Sequence, residues 1–260
     1  MNNILPPSTI IHLPHASRAI PADVREAVCL SDSELEAQLD RLTDHYTDEL
    51  FSAKHPDVIP LVYPVSRFVV DPERFSEDVL EPMAMRGQGA VYTKTVDGLP
   101  FRNQLSLDDR NSLMDRFYWP HHNQLDHLAG TALAAHGRAL IVDAHSFPSS
   151  PLPVDLDQSA DRPDICIGSD EFHTPVELVD VIKVMFKDAG FSVGVNNPYC
   201  GTLVPNQFYG KDNRVKSVMI EINRRLYLQD EPKDIRKREP EFSQLRTLLS
   251  EVILRLVRSG

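Results

Sequence analysis

Cysteine is scarce in this chain. Cys29, Cys166 and Cys200 are widely spaced, odd in number, and form no CxxC pair. That pattern argues against a disulfide framework and a thiolate metal cage, and it fits a reducing compartment such as the cytoplasm. Basic residues are also few. Lys and Arg total 27 against 38 Asp and Glu, a formal net charge of -11. A nucleic-acid footprint needs a basic face, so that partner class is not expected. An acidic ligand would have to be met by locally placed arginines. The opening MNNILPPSTIIHLPHAS has no basic start and no long apolar core, which argues against a signal peptide. No run approaches the roughly 18 apolar residues of a membrane span. The zinc-protease signature HExxH is absent, and no GxSxG surrounds Ser146 or Ser149. The second absence argues against a serine hydrolase at either hydroxyl.

What is present reads as a single α/β domain over residues 1–260. A chain of this length buries roughly three quarters of its unfolded surface and folds without staples. Short apolar runs predict strands at Thr9–Leu13, 65–70, 139–143, 191–195 and 215–222. Helical periodicity covers 33–54, 121–136, 175–189 and 241–258. In the second of these, Leu125, Leu128, Ala129, Ala132 and Leu133 form one stripe. Two segments, 72–110 and 148–174, are irregular. Long irregular segments in a compact domain are often functional, and both follow candidate sites, so they are read as walls of a cleft.

Ionisable residues gather at the ends of the strands, the edge where ligands bind in open α/β sheets. His15 follows the first strand after Pro14. Asp143 and His145 end the strand ALIVDAHS. Asp143 either orients a ligand histidine or caps a turn. Glu221 sits inside the apolar run VMIEI, either as a general base with a raised pKa or as the structural partner of Arg224 or Arg225. Arg67, Asp71 and Arg74 surround another strand end, as a carboxylate clamp or as a structural pair. Asp44 and Asp48 share a face of the 33–54 helix at i, i+4 spacing. His121 lies on the apolar stripe of its helix and points inward. His12, His55, His127, His136 and His173 carry no comparable signal. Two histidines, a carboxylate and an open position make the usual catalytic zinc set, which lets a water attack near neutral pH.

The ordered motifs PHAS, TDHYTDELF, SRFVVDPER, YWPHHNQL, DAHSFPS, NNPYCGTLVP and MIEINRRLYL, spread over residues 9–228, resemble the N-formylglutamate amidohydrolase family. The resemblance implies a mixed central sheet sandwiched by helices, as in zinc carboxypeptidases and aspartoacylase. It implies cleavage of N-formyl-L-glutamate to formate and L-glutamate, a step in histidine degradation. It further implies that His15 and His145 bind Zn2+ or another divalent transition metal, that Glu221 is the general base, and that Arg74 holds a substrate carboxylate. Carboxypeptidases place their carboxylate ligand three residues after the first histidine, where this chain has Arg18. Asp44 is therefore taken as the third ligand, with Asp48 in reserve. Arg67, Tyr199 and His121 are expected to complete the pocket for a small acidic N-acyl amino acid. The loops "DPER" and "CGTL" depart from the family's "DLNR" and "FKGG", so the metal site carries over better than the substrate. Other expectations to be weighed are a different N-acyl amino acid or short peptide as substrate, and a metal- or ligand-binding module without catalysis.

Overall fold

The computed structural model describes residues 5–231 and 233–259. Its centre is a six-stranded mixed sheet in the order β2-β1-β3-β6-β4-β5. The strands are β1 (Thr9–Leu13), β2 (Val58–Val62), β3 (Ala139–Phe147), β4 (Ile165–Gly168), β5 (Val193–Val195) and β6 (Val215–Asn223). β2, β1, β3 and β6 run parallel, while β4 and β5 run antiparallel to β6. The C-terminal ends of the four parallel strands therefore share one edge. A hairpin of β7 (Leu228–Asp230) and β8 (Asp234–Lys237) stands apart.

Helices cover both faces. Successive strand side chains point to opposite sides. On one side Ile10, Ile141 and Val215 pack against Leu125, Ala129 and Ala132 of the helix Trp119–His136. On the other, Ile11, Leu140, Val142, Val218 and Ile220 pack against the helices Val176–Asp188 and Glu241–Ser259. No helix among the described residues is long and apolar enough to cross a membrane.

The same alternation carries the site. His12, Asp143, His145 and Glu221 fall on the Ile10–Ile141–Val215 side, each toward the C-terminal end of its strand. That face is apolar where the strands begin and ionisable where they end. Register aligns His12 with Asp143 and His145 with Glu221.

Several expectations are corrected. Residues 65–70 are a buried turn, not a strand. Ser66 donates its N–H to Ala19 O and Val69 to Ser66 O, so the backbone is satisfied without a ladder. Val65, Phe68, Val69 and Val70 face two apolar clusters, which explains their strand-like composition. The helix expected over 33–54 stops at Leu42. It begins with a capping box from Ser31 and Glu34. Thr43 then turns extended, Tyr46 adopts φ 60°, and a short helix resumes at Thr47–Leu50. Tertiary bonding overrides the periodicity, because Asp44 N–H is held by His15 O at 3.0 Å. β3 extends through His145 to Phe147, so His145 lies within the strand. β2 and β4 escape sequence reading. β2 is an edge strand containing Pro60, which an edge tolerates because a missing N–H costs no ladder bond there.

Candidate active site

His15, Asp44 and His145 converge although they come from three separated segments. Asp44 Oδ2 lies 3.2 Å from His145 Nδ1 and 3.6 Å from His15 Nδ1. One potential donor atom from each residue lies within 4.8 Å of the others, and all three residues are buried. Asp48, the reserve carboxylate, is exposed and lies outside this group.

The far side of each imidazole fixes what the near side offers. His15 Nε2 donates to Asp71 Oδ1 at 2.8 Å, and His145 Nε2 to Asp143 Oδ1 at 3.0 Å. An ionised carboxylate only accepts, so Nε2 carries a proton in both rings, and Nδ1, which faces Asp44, is the nitrogen that can offer a lone pair to a cation. Two lone pairs and a carboxylate oxygen facing one another need a cation or proton between them. Tetrahedral zinc with bonds of about 2.0–2.2 Å sets its ligand atoms roughly 3.3–3.6 Å apart. The 3.2 and 3.6 Å separations are close to that spacing. The residues thus fit a divalent metal, and carboxylates behind ligand histidines are the usual support for one.

Buried cations and donors hold those carboxylates. Asp71 Oδ2 accepts from Arg67 and from Tyr92 OH at 2.7 Å. Burial alone would raise its carboxyl, but Arg67 and His15 hold it well below the ordinary value. Asp143 Oδ2 accepts from Leu203 N–H at 2.9 Å. Asp44 Oδ1 accepts from Arg224 Nη2 at 3.1 Å, which leaves Oδ2 facing the histidines. Against its own burial, Asp44 is also held well below the ordinary carboxylate range by His145 and His15.

Glu221 stands beside His145 in register on β6. Its Oε2 is buried without a hydrogen-bond partner. Burial pushes its carboxyl up to about 8. Neither arginine considered as its structural partner takes that role, since Arg224 bonds Asp44 and Arg225 bonds Asp164. Glu221, His15, Asp44, His145, Arg67, Arg74 and Tyr199 all line one cavity of about 490 Å3. His121 does not line it. It packs against Tyr63 and His12, while its neighbour His122 faces the cavity. Tyr199 is a wall rather than a free hydroxyl, since its OH accepts from Arg162 at 2.7 Å and donates to Asp155 at 3.3 Å. Ser146 Oγ accepts from Arg224, and Ser149 Oγ donates to Glu231. Neither serine hydroxyl has an imidazole partner among the described residues.

A sequence profile of N-formylglutamate amidohydrolase matches residues 8–228. The chain belongs to the N-formylglutamate amidohydrolase family. Comparison with curated proteins found no match. Among solved structures, the chain is similar to N-formylglutamate amidohydrolase from Ralstonia eutropha JMP134. The identity is 21% and the TM-score 0.81, covering 98% of this chain and 94% of that one. It is also similar to a gene product from Agrobacterium tumefaciens, at 20% identity and TM-score 0.68, covering 100% and 94%. At these identities the likeness establishes the shared mixed α/β fold.

Within this family member, sequence reading passes over residues that the fold brings to the site. His12 is fully buried, with Nδ1 2.9 Å from Asp143 Oδ1 and 3.1 Å from Glu73 Oε1. Its position on the Ile10 face of β1 was the available signal. Gln88, from the irregular segment, lines the cavity with its Nε2 buried and unpartnered. No local pattern marks it.

Proposed function

We propose that the protein is a metal-dependent amidohydrolase of a small N-acyl amino acid, with N-formyl-L-glutamate, the substrate in the family's name, as the first compound to try. The observation that carries this reading is the partnerless Glu221 carboxylate next to a His–His–Asp donor set at zinc-like spacing.

In this reading His15 Nδ1, His145 Nδ1 and Asp44 Oδ2 would hold Zn2+ or a similar divalent ion. Such an ion, when bound, supplies Lewis acidity that makes water a nucleophile at neutral pH and polarises the amide carbonyl. The protein's own groups move the protons. Glu221 takes one from the attacking water as the oxygen bonds to the acyl carbon. It then delivers that proton to the nitrogen as the C–N bond breaks, releasing a carboxylic acid and an amine. Arg74 holds a carboxylate of the amino-acid half. Asp71 and Asp143 keep the two imidazoles in the required tautomer. Arg224 engages Asp44 Oδ1 and so keeps Oδ2 aimed at the histidines.

The test is formate release from N-formyl-L-glutamate by metal-loaded protein, by protein stripped with a chelator, and by stripped protein reloaded with Zn2+. Turnover lost on stripping and restored on reloading is expected. Full turnover in verifiably metal-free protein would overturn the mechanism.

A further inference from the structure

Within the amidohydrolase reading, on which this inference rests, the arginines of the cavity differ in how much of each guanidinium is already used. Among the described residues, Arg41, Arg67, Arg74 and Arg224 line the cavity and no lysine does, while Glu73, Glu81, Asp155, Asp157 and Asp170 add negative charge. An anionic substrate group is costly in such a place unless a guanidinium meets it. Arg224 is fully engaged, giving Nε to Ser146, Nη1 to Arg41 O and Nη2 to Asp44. Arg67 gives Nε and Nη2 to Asp71 Oδ2 and keeps Nη1. Arg74 stands against the same oxygen, with Nε 3.9 Å away, buried and without a hydrogen-bond partner. Arg67 and Arg74 therefore form one cationic position. It belongs to the support of the donor set, because Asp71 Oδ1 accepts from His15.

Arg41 is a second position, on a different segment. It lies in the last turn of the helix Asp32–Leu42, just before the turn that brings Asp44 to His15. Its main chain is fixed, since Arg41 O accepts from Arg224 Nη1 at 2.7 Å. Its side chain is fixed at Nη1, which donates to Asp97 Oδ2 at 2.6 Å. Gln38, one turn earlier on the helix, donates to the same oxygen at 3.1 Å and holds it in place. Asp97 takes only Nη1, so the Nε–Nη2 edge of Arg41 has no hydrogen-bond partner among the described residues. That edge carries two parallel N–H groups, the geometry that grips a carboxylate bidentately.

Depth separates the two positions. Asp71, beneath Arg67 and Arg74, is fully buried, whereas Asp97, beneath Arg41, is exposed. In an N-acyl glutamate the α-carboxylate carbon is two bonds from the nitrogen of the scissile amide, and the side-chain carboxylate carbon is four. The nearer group suits the inner position and the farther group the outer one.

We propose that Arg41 receives the side-chain carboxylate of the substrate, while Arg74, with Arg67, receives the α-carboxylate. Arg41 is thus a specificity-determining residue for an acidic side chain.

The experiment compares kcat/KM for N-formyl-L-glutamate and N-formyl-L-glutamine with the metal-loaded protein and its Arg41→Met, Arg41→Lys and Arg74→Met variants. The two substrates share a shape and differ in the charge at the end of the side chain. Wild type should favour N-formyl-L-glutamate. Arg41→Met should lower that preference about 10–100-fold, the value of hydrogen bonds to a charged group, with N-formyl-L-glutamine nearly unaffected. Arg41→Lys should retain part of the preference, because it keeps the charge and loses the fork. Arg74→Met should slow both substrates alike, since both carry the α-carboxylate. Arg224 is bound to the carbonyl of Arg41 and not to its side chain, so both Arg41 variants should keep their metal. Unaltered metal content and melting temperature identify the variants as folded, and Arg41→Lys carries the test should Arg41→Met fail to fold. A preference untouched in the Arg41 variants, both substrates slowed equally by them, or a preference lost in Arg74→Met instead would overturn the inference and leave the amidohydrolase reading standing. If neither amide is cleaved, the amidohydrolase reading itself fails. Calorimetric binding of the same two compounds then decides the inference: a preference for N-formyl-L-glutamate that the Arg41 variants weaken supports it, and no preference, or one they leave intact, overturns it.

Discussion

Two clusters of similar composition lie side by side at the strand ends, and in only one do all three members line the cavity. His15, Asp44 and His145 form the first; His12, Glu73 and Asp143 form the second. In the first, each Nε2 is occupied by an outer carboxylate and each Nδ1 turns inward, 3.2 and 3.6 Å from Asp44 Oδ2. In the second, His12 Nδ1 lies 2.9 and 3.1 Å from two carboxylates, which are hydrogen-bond lengths, and Nε2 lies 2.8 Å from His121. Neither nitrogen of His12 is open. The first cluster lines the cavity; His12 and Asp143 do not. Residue types alone do not distinguish a ligand set from a support. Which nitrogen is left over does.

The sharpest way to break this comparison is to delete one member of the first cluster. His145→Ala should abolish bound metal, read by metal analysis of the purified protein, and reduce turnover to background. Retention of stoichiometric metal would move the site elsewhere, with the second cluster as the obvious alternative. Next in size is Glu221→Gln. Turnover should fall about 10²–10⁴-fold, the usual worth of a positioned proton-transfer group, with metal retained. The pH profile gives an independent sign. Burial raises Glu221 to about 8. A nearby divalent cation pulls a carboxyl downward. The base must be ionised, so kcat/KM should rise with pH through an apparent pKa no higher than about 8. Glu221→Gln should remove that limb, and a limb persisting in the variant would assign it to another group.

A smaller effect probes the outer carboxylates. Asp143→Asn leaves every metal-facing atom in place but offers His145 Nε2 an amide instead of a carboxylate. Metal affinity should fall about 10–100-fold, measured by competition with a chromogenic chelator. Equal affinity would mean that Asp143 does not tune the ligand.

How much of this was legible beforehand follows from the range of each signal. Periodicity and burial are local. Thr9–Leu13 and the Leu125 stripe were therefore readable, and so was Glu221 as an anomaly inside an apolar strand. The break at Leu42 was not, because it is imposed by Asp44 reaching back to His15, 29 positions earlier in the chain. Residues 65–70 read as a strand because burial selects β-branched side chains in turns as well as in sheets. His121 was rightly placed inward from its helical stripe, but inward leads to His12 and Tyr63 rather than to the cavity. Gln88 depends on a 71–90 excursion that no spacing reveals.

The least disruptive test of function, and the one that sharpens the contrast most, is His12→Gln. Asp143 would still hold His145 through Oδ1 and would keep Leu203 N–H on Oδ2. Metal affinity should change less than about tenfold, below the range expected for Asp143 itself. Stability should respond instead. Burial opposes the charge on His12, but the hydrogen bonds it donates to Asp143 and Glu73 raise its pKa to about 9 from an ordinary 6.5. A group whose folded pKa is raised contributes stability that is fully present below the unfolded value and lost as pH rises through the folded one. The wild-type melting temperature should therefore fall between about pH 6.5 and 9. Glu221 adds a parallel decline between its ordinary range and about 8, so wild type alone does not isolate His12. The difference between wild type and His12→Gln does, since Glu221 is common to both. That difference should be about 1–3 kcal/mol near neutral pH, the cost of leaving buried acceptors without their charged donor, and should shrink by pH 9. A difference independent of pH would mean that His12 is neutral in the fold, and loss of metal would make the second cluster part of the metal site after all.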